Sequence, residues 1–215
     1  MIHQIPETVL PMEKNVYLFV CDDLADWEPA LAIAMISDRY RDIPRRQEYH
    51  VVTFGMTKDP VTTFGGLTVI PDTTIDAVDL TTAAMLILPG SSLYENKDPA
   101  PLVPLIRAWT EKKIPVAVIC GATLFLARHG FLDTVRHTSA GLGWLKIHAP
   151  AYRGEHLYLH EPCVSDNGII TANPLGFIEF AYTILKTLDV YEPAFLEFWL
   201  SAVKSGYLDA DTSGP

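Results

Sequence analysis

Short apolar segments alternate along the chain with longer segments of helical periodicity. Four of these apolar segments contain no Asp, Glu, Lys or Arg, and they lie at 15–21, 49–55, 83–90 and 116–120. Continuous apolar segments of this length are typical of strands buried on both faces, which occur in parallel sheets covered by helices. We therefore predict an α/β fold with a mainly parallel sheet between two layers of helices.

The remaining segments complete this pattern. We expect helices at 29–42, 100–113, 174–188 and 193–206, and hairpins at 61–71 and 161–172 with turns at Gly65-Gly66 and Asn167-Gly168. The chain has 215 residues, of which 49% are hydrophobic, so it can bury a full core. We treat 1–215 as a single domain with a C-terminal helical extension from about 190.

Charge and composition exclude several classes of protein. The formal net charge is −10, which argues against binding to nucleic acid or to an anionic membrane. No segment reaches the roughly 18 apolar residues of a membrane span, and residues 1–15 carry acidic residues and prolines rather than a signal peptide. The three cysteines do not suggest a disulfide framework. We expect a cytoplasmic protein that acts on a small molecule or peptide without a cofactor or metal.

Cys120 is the residue that most directly suggests chemistry. It ends the apolar segment 116–120, and Gly121 breaks the pattern before helical periodicity resumes at Leu124. A strand-to-helix turn of this kind exposes the side chain at its tip and directs the first free N–H groups of the helix toward it. We therefore interpret Cys120 as a nucleophile rather than as a buried structural cysteine.

Other side chains should lie beside Cys120, because ligands bind outside the carboxyl ends of parallel strands. Glu28 follows the first strand, and Gly90 and Ser91 follow the third buried one. Alone, Glu28 could simply complement a helix dipole and Gly90 could mark an ordinary turn. Together with Cys120 they suggest an acid beside the sulfur and an oxyanion hole formed by the N–H groups of Gly90 or Ser91 and Gly121.

Three motifs carry a resemblance to a known family. The stretches "DWEPA", "LILPGSS" and "VAVICGATLFLARHGFLD" together resemble the ThiJ/PfpI superfamily, within the class I glutamine amidotransferase-like fold. The resemblance spans 15–190 and implies a flavodoxin-like three-layer sandwich with a cysteine nucleophile elbow. It matches Cys120 to the elbow cysteine, Glu28 to the acid beside it, and Ser91 and Gly121 to the oxyanion amides.

The chain departs from this family at the expected histidine. Protease-like members carry a histidine directly after the cysteine, where this chain has Gly121, and the deglycase-like branch carries one at the position that matches Ala140. His137, three residues earlier, is the nearest candidate for a third catalytic residue.

Three functions are consistent with these residues. The first is a small amidase- or peptidase-like cysteine hydrolase that acts through Cys120 and Glu28. The second is a glyoxalase- or deglycase-like enzyme acting on reactive aldehydes, and the third is a non-catalytic, redox-sensing stress protein. For the pair we expect a Cys120 thiolate and a protonated Glu28 at neutral pH. We also expect a homodimer, because relatives commonly pair and the chain has four tryptophans.

Overall fold

Strands and helices alternate throughout the computed structural model, which describes residues 14–37 and 43–207. The strands are β1 (Asn15–Phe19), β2 (His50–Gly55), β3 (Val61–Thr62), β4 (Thr68–Val69), β5 (Thr73–Thr74), β6 (Ala83–Leu88), β7 (Val116–Ile119), β8 (Cys163–Asp166) and β9 (Ile169–Ala172). The helices are α1 (Trp27–Ser37), α2 (Leu93–Asn96), α3 (Leu102–Glu111), α4 (Gly121–Arg128), α5 (Leu142–His148), α6 (Phe177–Thr187) and α7 (Pro193–Ser205).

Seven of the strands form the central sheet, in the order β5-β2-β1-β6-β7-β9-β8. All neighbouring strands in it run parallel except β8 and β9. The chain passes from β1 to β2 on one side and later enters β6 on the other side of β1. The loops after β1 and β6 therefore diverge and leave a crevice at the carboxyl edge of the sheet, where ligands bind in such folds.

Helices surround this sheet, as the sequence predicts. Helices α1, α6 and α7 pack in one group, and α2, α4 and α5 pack in another. The strands between them are apolar and fully buried over Met85–Leu88 and Val116–Ile119. The predicted α/β, flavodoxin-like fold with a mainly parallel sheet is confirmed. Within the described residues, no helix is both long and apolar enough to cross a membrane.

The elements differ from prediction mainly at their ends. Helix α1 begins at Trp27 rather than at residue 29, and 38–42, predicted to continue it, lie outside the described residues together with 1–13. The turn at Asn167 and Gly168 has φ values of 47° and 79°, as a tight hairpin turn requires. Helices α2 and α5 were not predicted, because four and seven residues are too few to show a helical period.

Candidate active site at Cys120

Cys120 occupies the sharp turn between β7 and α4. Its backbone has φ 56° and ψ −124°, a region that non-glycine residues rarely adopt, so the predicted strained elbow is confirmed. Two neighbours hold this conformation. The Cys120 N–H donates to the Ala172 carbonyl at 3.0 Å, and the Cys120 carbonyl accepts hydrogen bonds from the N–H (3.1 Å) and hydroxyl (2.6 Å) of Thr123.

Thr123 is a contributor that sequence reasoning missed. It is fully buried in the first turn of α4, and its hydroxyl also contacts the Ser139 hydroxyl at 2.8 Å. Threonine in this position could have suggested a bond to the preceding carbonyl, since Ser and Thr hydroxyls often bond to nearby backbone. The partner Ser139 comes from a distant loop and has no local sequence signal.

Glu28 lies in the first turn of α1 and is completely buried. Its Oε2 atom accepts the N–H of Gly90 at 2.6 Å, and the carboxyl group also interacts with the Cys120 thiol. The Oε1 atom has no conventional hydrogen-bond partner among the described protein groups. The structure thus brings the predicted acid to the predicted nucleophile.

Gly90 packs against both the Glu28 and the Cys120 side chains. A Cβ atom at Gly90 would lie 2.7 Å from Glu28 Oε2, 2.8 Å from Cys120 Cβ and 3.1 Å from Cys120 Sγ, so only glycine fits there. Because one point lies so close to both groups, Cys120 Sγ and Glu28 Oε2 are at most about 6 Å apart. The predicted role of Gly90 as an oxyanion donor is wrong, since its N–H is bound to Glu28.

Ser91 and Gly121 present backbone groups beside Cys120. A Cβ atom on Gly121 would lie 3.0 Å from the Ser91 carbonyl oxygen and 3.5 Å from the Ser91 nitrogen. The Gly121 N–H lowers the pKa of the Cys120 thiol, and the Ser91 N–H makes no hydrogen bond within the part of the chain that the structure describes. The Ser91 hydroxyl donates to the Asp22 carbonyl at 2.7 Å, which fixes the loop. Two N–H groups on adjacent backbones can stabilise an oxyanion.

His137 is the predicted site residue that the structure does not bring to Cys120. Its ring is fully buried, with Nδ1 2.7 Å from the Val135 carbonyl and Nε2 2.5 Å from the Tyr152 hydroxyl. Both ring nitrogens are therefore occupied elsewhere. Across residues 14–37 and 43–207, no hydrogen bond or ion pair joins any histidine to Cys120.

The Cys120–Glu28 pair joins a half-buried thiol to a fully buried carboxyl, and each group influences the pKa of the other. Burial raises the pKa of Glu28 from 4.5 to about 7, although the bonds from Gly90 and Cys120 lower it in part. Burial, followed by the nearby Glu28 carboxylate, raises the pKa of Cys120 from 9.0 to about 12 against the lowering effect of the Gly121 N–H. The pKa of Glu28 is thus raised, as expected for a carboxyl that keeps its proton. The expected low pKa of Cys120 is wrong, because one helix amide does not offset burial beside an acid.

The other two cysteines of the described chain are less suited to chemistry. Cys21 lies just after β1 and Cys163 lies in β8, and burial raises the pKa of each thiol to about 11. Neither has a carboxylic acid as its hydrogen-bond partner. Among the described residues, no group of three or more His, Cys, Asp or Glu side chains is arranged to hold a metal ion.

Known proteins share this fold, and their alignments cover most of this chain. The crystal structure of a ThiJ/PfpI family protein from Bacillus anthracis matches with a TM-score of 0.81 and 36% identity, covering 90% of this chain and 92% of that one. A DJ-1 superfamily protein from Agrobacterium tumefaciens matches with a TM-score of 0.78 and 34% identity, covering 89% and 99%.

Sequence comparison gives the same relationship. A Bacillus subtilis protein named "Uncharacterized protease YoaZ" is 34% identical over 192 residues, which cover 89% of this chain and 91% of the relative. The DJ-1/PfpI family model matches residues 14–187. With the cysteine elbow, the buried glutamate and the sheet order already described, these matches show that the chain belongs to the DJ-1/PfpI family, as its motifs predict.

Proposed function

We propose that this protein is a small cysteine hydrolase, amidase- or peptidase-like, in which Cys120 is the nucleophile and Glu28 is the proton carrier. The observation that carries the proposal is the buried Glu28 carboxyl beside the strained Cys120 elbow, with a pKa of about 7. A group with a pKa near the operating pH can both accept and donate a proton. The protease-like name of the Bacillus subtilis relative also supports a hydrolase.

The proposed reaction uses Glu28 twice. The Glu28 carboxylate takes the proton of the Cys120 thiol as sulfur attacks the carbonyl carbon, and the new oxyanion is bound by the N–H groups of Ser91 and Gly121. The tetrahedral intermediate collapses, the carbon–nitrogen bond breaks, and the leaving nitrogen takes the proton back from Glu28. Water, deprotonated by Glu28, then attacks the thioester, and the thiol recovers its proton as the acid leaves.

A second candidate is a glyoxalase-like enzyme acting on a 2-oxoaldehyde. It is favoured by the hydrogen bonds of His137, which go to Val135 and Tyr152 rather than to Cys120. Addition of a thiol to an aldehyde needs only the thiol and one proton carrier, and no leaving nitrogen has to be protonated. The aldehyde carbon would then be oxidised and the ketone reduced within the same molecule before water releases a 2-hydroxy acid.

Parallel assays test the two functions. Release of 4-nitroaniline from small acyl-4-nitroanilides reports hydrolysis, and conversion of methylglyoxal to lactate reports the glyoxalase-like reaction. We expect hydrolysis to fall at least about 10³-fold in Cys120→Ser and Glu28→Gln. Cys163→Ser, whose thiol contacts Thr183 at 3.5 Å, should match the wild type. Lactate formation without nitroaniline release would replace the first function with the second.

We further propose that the enzyme works in the cytoplasm as a homodimer. Free thiols suit a reducing compartment, and the described residues contain three. An exposed apolar patch supports pairing: Trp27 and Phe64 are 44% and 70% exposed, with ring centroids 5.8 Å apart, and Leu67 and Ile70 on the same hairpin segment are also exposed. Patches of this kind often mark protein–protein contacts.

A further inference from the structure

A cavity of about 330 Å³ lies beside the elbow, on the side away from Glu28. Its walls come from three segments of the chain and include Ser139, His160 and Asn173. In the central sheet, β7 leads to the elbow between β6 and β9. Glu28 is bound to Gly90 beyond the end of β6, whereas Asn173 directly follows β9. We call this space the Asn173 cavity, and its volume is in the range of ligand sites.

Two residues of the Asn173 cavity are tied to the elbow by hydrogen bonds. The Ser139 hydroxyl lies 2.8 Å from the Thr123 hydroxyl, which donates to the Cys120 carbonyl at 2.6 Å. Ser139 Oγ and the Cys120 carbonyl oxygen are therefore at most about 5.4 Å apart. Asn173 follows Ala172, whose carbonyl accepts the Cys120 N–H at 3.0 Å. An extended chain advances about 3.3–3.6 Å per residue, so one to two residues span this separation.

His160 presents free hydrogen-bonding groups at the cavity. Its side chain is exposed, and across residues 14–37 and 43–207 neither ring nitrogen has a hydrogen-bond or ion-pair partner. The ring lies edge-on to that of Tyr158, with centroids 5.1 Å apart, and the Tyr158 hydroxyl donates to the Ser139 carbonyl at 3.2 Å. The imidazole is thus packed against a fixed ring while its nitrogens stay available to a ligand.

Asn173 presents a second free donor. Its Oδ1 atom accepts the Leu175 N–H at 2.9 Å, which fixes the orientation of the amide group. Its Nδ2 atom donates one hydrogen to the Glu161 carbonyl at 3.4 Å. A carboxamide nitrogen carries two hydrogens, so one of them has no partner among the described residues.

These free groups match a peptide unit. A neutral imidazole can donate one hydrogen bond and accept another, and the amide of Asn173 can donate a further one. A peptide unit offers one carbonyl acceptor and one N–H donor. An anionic ligand group is disfavoured, because the exposed Glu161 carboxylate also lines the cavity.

We propose that the Asn173 cavity binds a second peptide unit on the acyl side of the scissile bond, with His160 and Asn173 as specificity-determining residues. The inference rests on the proposed hydrolase function, in which Glu28 protonates the leaving nitrogen. The leaving group must then lie on the Glu28 side of the sulfur, and the acyl part extends the other way, toward the cavity. The substrate class is therefore a peptide rather than a simple acyl amide.

Two 4-nitroanilides that share a three-carbon acyl unit test this proposal. Propionyl-4-nitroanilide has no second amide, whereas acetyl-Ala-Ala-4-nitroanilide has two more. We expect the wild type to prefer the peptide by at least about 10-fold in kcat/KM, and His160→Phe to lower the peptide value by about 3–10-fold, the equivalent of one hydrogen bond. Asn173→Asp, which keeps the Oδ1 acceptor and loses the donor, should act likewise. Both variants should leave the propionyl value unchanged.

His156→Phe is the matched control. His156 is an exposed histidine in the short helical turn Glu155–Leu157, and it does not line the Asn173 cavity. The same chemical change there should leave both kcat/KM values unchanged. Equal rates for the two substrates would overturn the inference. So would a His160→Phe variant that lowers both values equally or neither.

Binding without turnover separates this inference from the proposed function. In the Cys120→Ser protein, an NMR titration with acetyl-Ala-Ala-amide should give a Kd that His160→Phe raises by about 3–10-fold. His160-dependent binding with no nitroaniline release from the wild type would refute the hydrolase and retain the peptide subsite. Hydrolysis without His160-dependent binding would retain the hydrolase and refute the subsite, and the absence of both would refute both.

Discussion

Replacing Glu28 by glutamine should make the Cys120 thiol more acidic. The two side chains are at most about 6 Å apart, and the carboxylate is one of the causes that raise the pKa of Cys120 to about 12. At 6 Å and an effective dielectric constant of about 20, two unit charges repel by about 2.8 kcal/mol, or about two pH units. Removing that charge should lower the pKa of Cys120 to roughly 10, since burial remains.

Alkylation of Cys120 at pH 9 measures this change directly. A thiol with a pKa of about 12 is about 0.1% ionised at pH 9, whereas one with a pKa of about 10 is about 10% ionised. In the wild type, a minor form in which Glu28 holds the proton and Cys120 is the thiolate roughly doubles this ionised fraction. Glu28→Gln should therefore react several tens of times faster. The same variant should lose turnover, because glutamine cannot carry a proton.

Glu95→Gln provides the matched control for this experiment. Glu95 is exposed in α2, and its charge raises the pKa of Cys120 less than burial or Glu28 does. The same chemical change at that position should leave the alkylation rate within about twofold of the wild type. Equal or slower alkylation of Glu28→Gln at pH 9 would refute the electrostatic coupling between the two side chains.

Four further predictions follow from contacts described above. The folded state keeps the Glu28 proton up to about pH 7, whereas the unfolded chain loses it near pH 4.5. The free energy of unfolding measured in urea should therefore fall by up to about 3 kcal/mol as the pH rises from 4.5 to 7, and Glu28→Gln should abolish this fall. Gly90→Ala should abolish turnover and destabilise by about 1–3 kcal/mol, whereas Gly143→Ala, where a Cβ has open space, should do neither. His137→Phe should destabilise by about 1–3 kcal/mol, because it leaves the buried Val135 carbonyl and the half-buried Tyr152 hydroxyl without this partner, yet leave the alkylation rate of the folded protein unchanged. If the protein is a dimer in sedimentation, Phe64→Ser should shift it toward monomer.

Each of these predictions has an outcome that contradicts it. Stability that is constant between pH 4.5 and 7 would mean that Glu28 titrates normally in the folded protein. An active Gly90→Ala variant would show that the space between sulfur and carboxyl is adaptable. A stable but inactive His137→Phe variant would restore the catalytic role predicted from the sequence, and a wild-type monomer at micromolar concentration would remove the proposed dimer.

The parts of the site that lie at strand ends could be predicted from the sequence. Cys120 follows a fully apolar segment and precedes a glycine, and the strand-end rule places Glu28 and Ser91 near it without any side-chain detail. The hairpin turn at Asn167-Gly168 was predictable for a similar reason, because these two residue types adopt positive φ readily.

The side-chain partners could not be predicted in this way. Glu28 binds the N–H of Gly90 across 62 positions in sequence, and no local pattern distinguishes that bond from an amide left free for an oxyanion. His137 lies near a family motif in sequence, yet its ring nitrogens contact Val135 and the distant Tyr152. The pKa of Cys120 depends on burial, which a helix N-terminus alone does not reveal.

Because Cys120 has a positive φ, the fold would be more stable with another residue at this position. A glycine there would relieve strain of order 1–3 kcal/mol, while the bonds to Ala172 and Thr123 hold the turn for either residue. Cys120→Gly should therefore melt at a higher temperature than the wild type and do no chemistry. A descendant of this protein that no longer needed the thiol would gain stability by losing it, so the cysteine persists in a lineage only while selection on its reactivity opposes that drift.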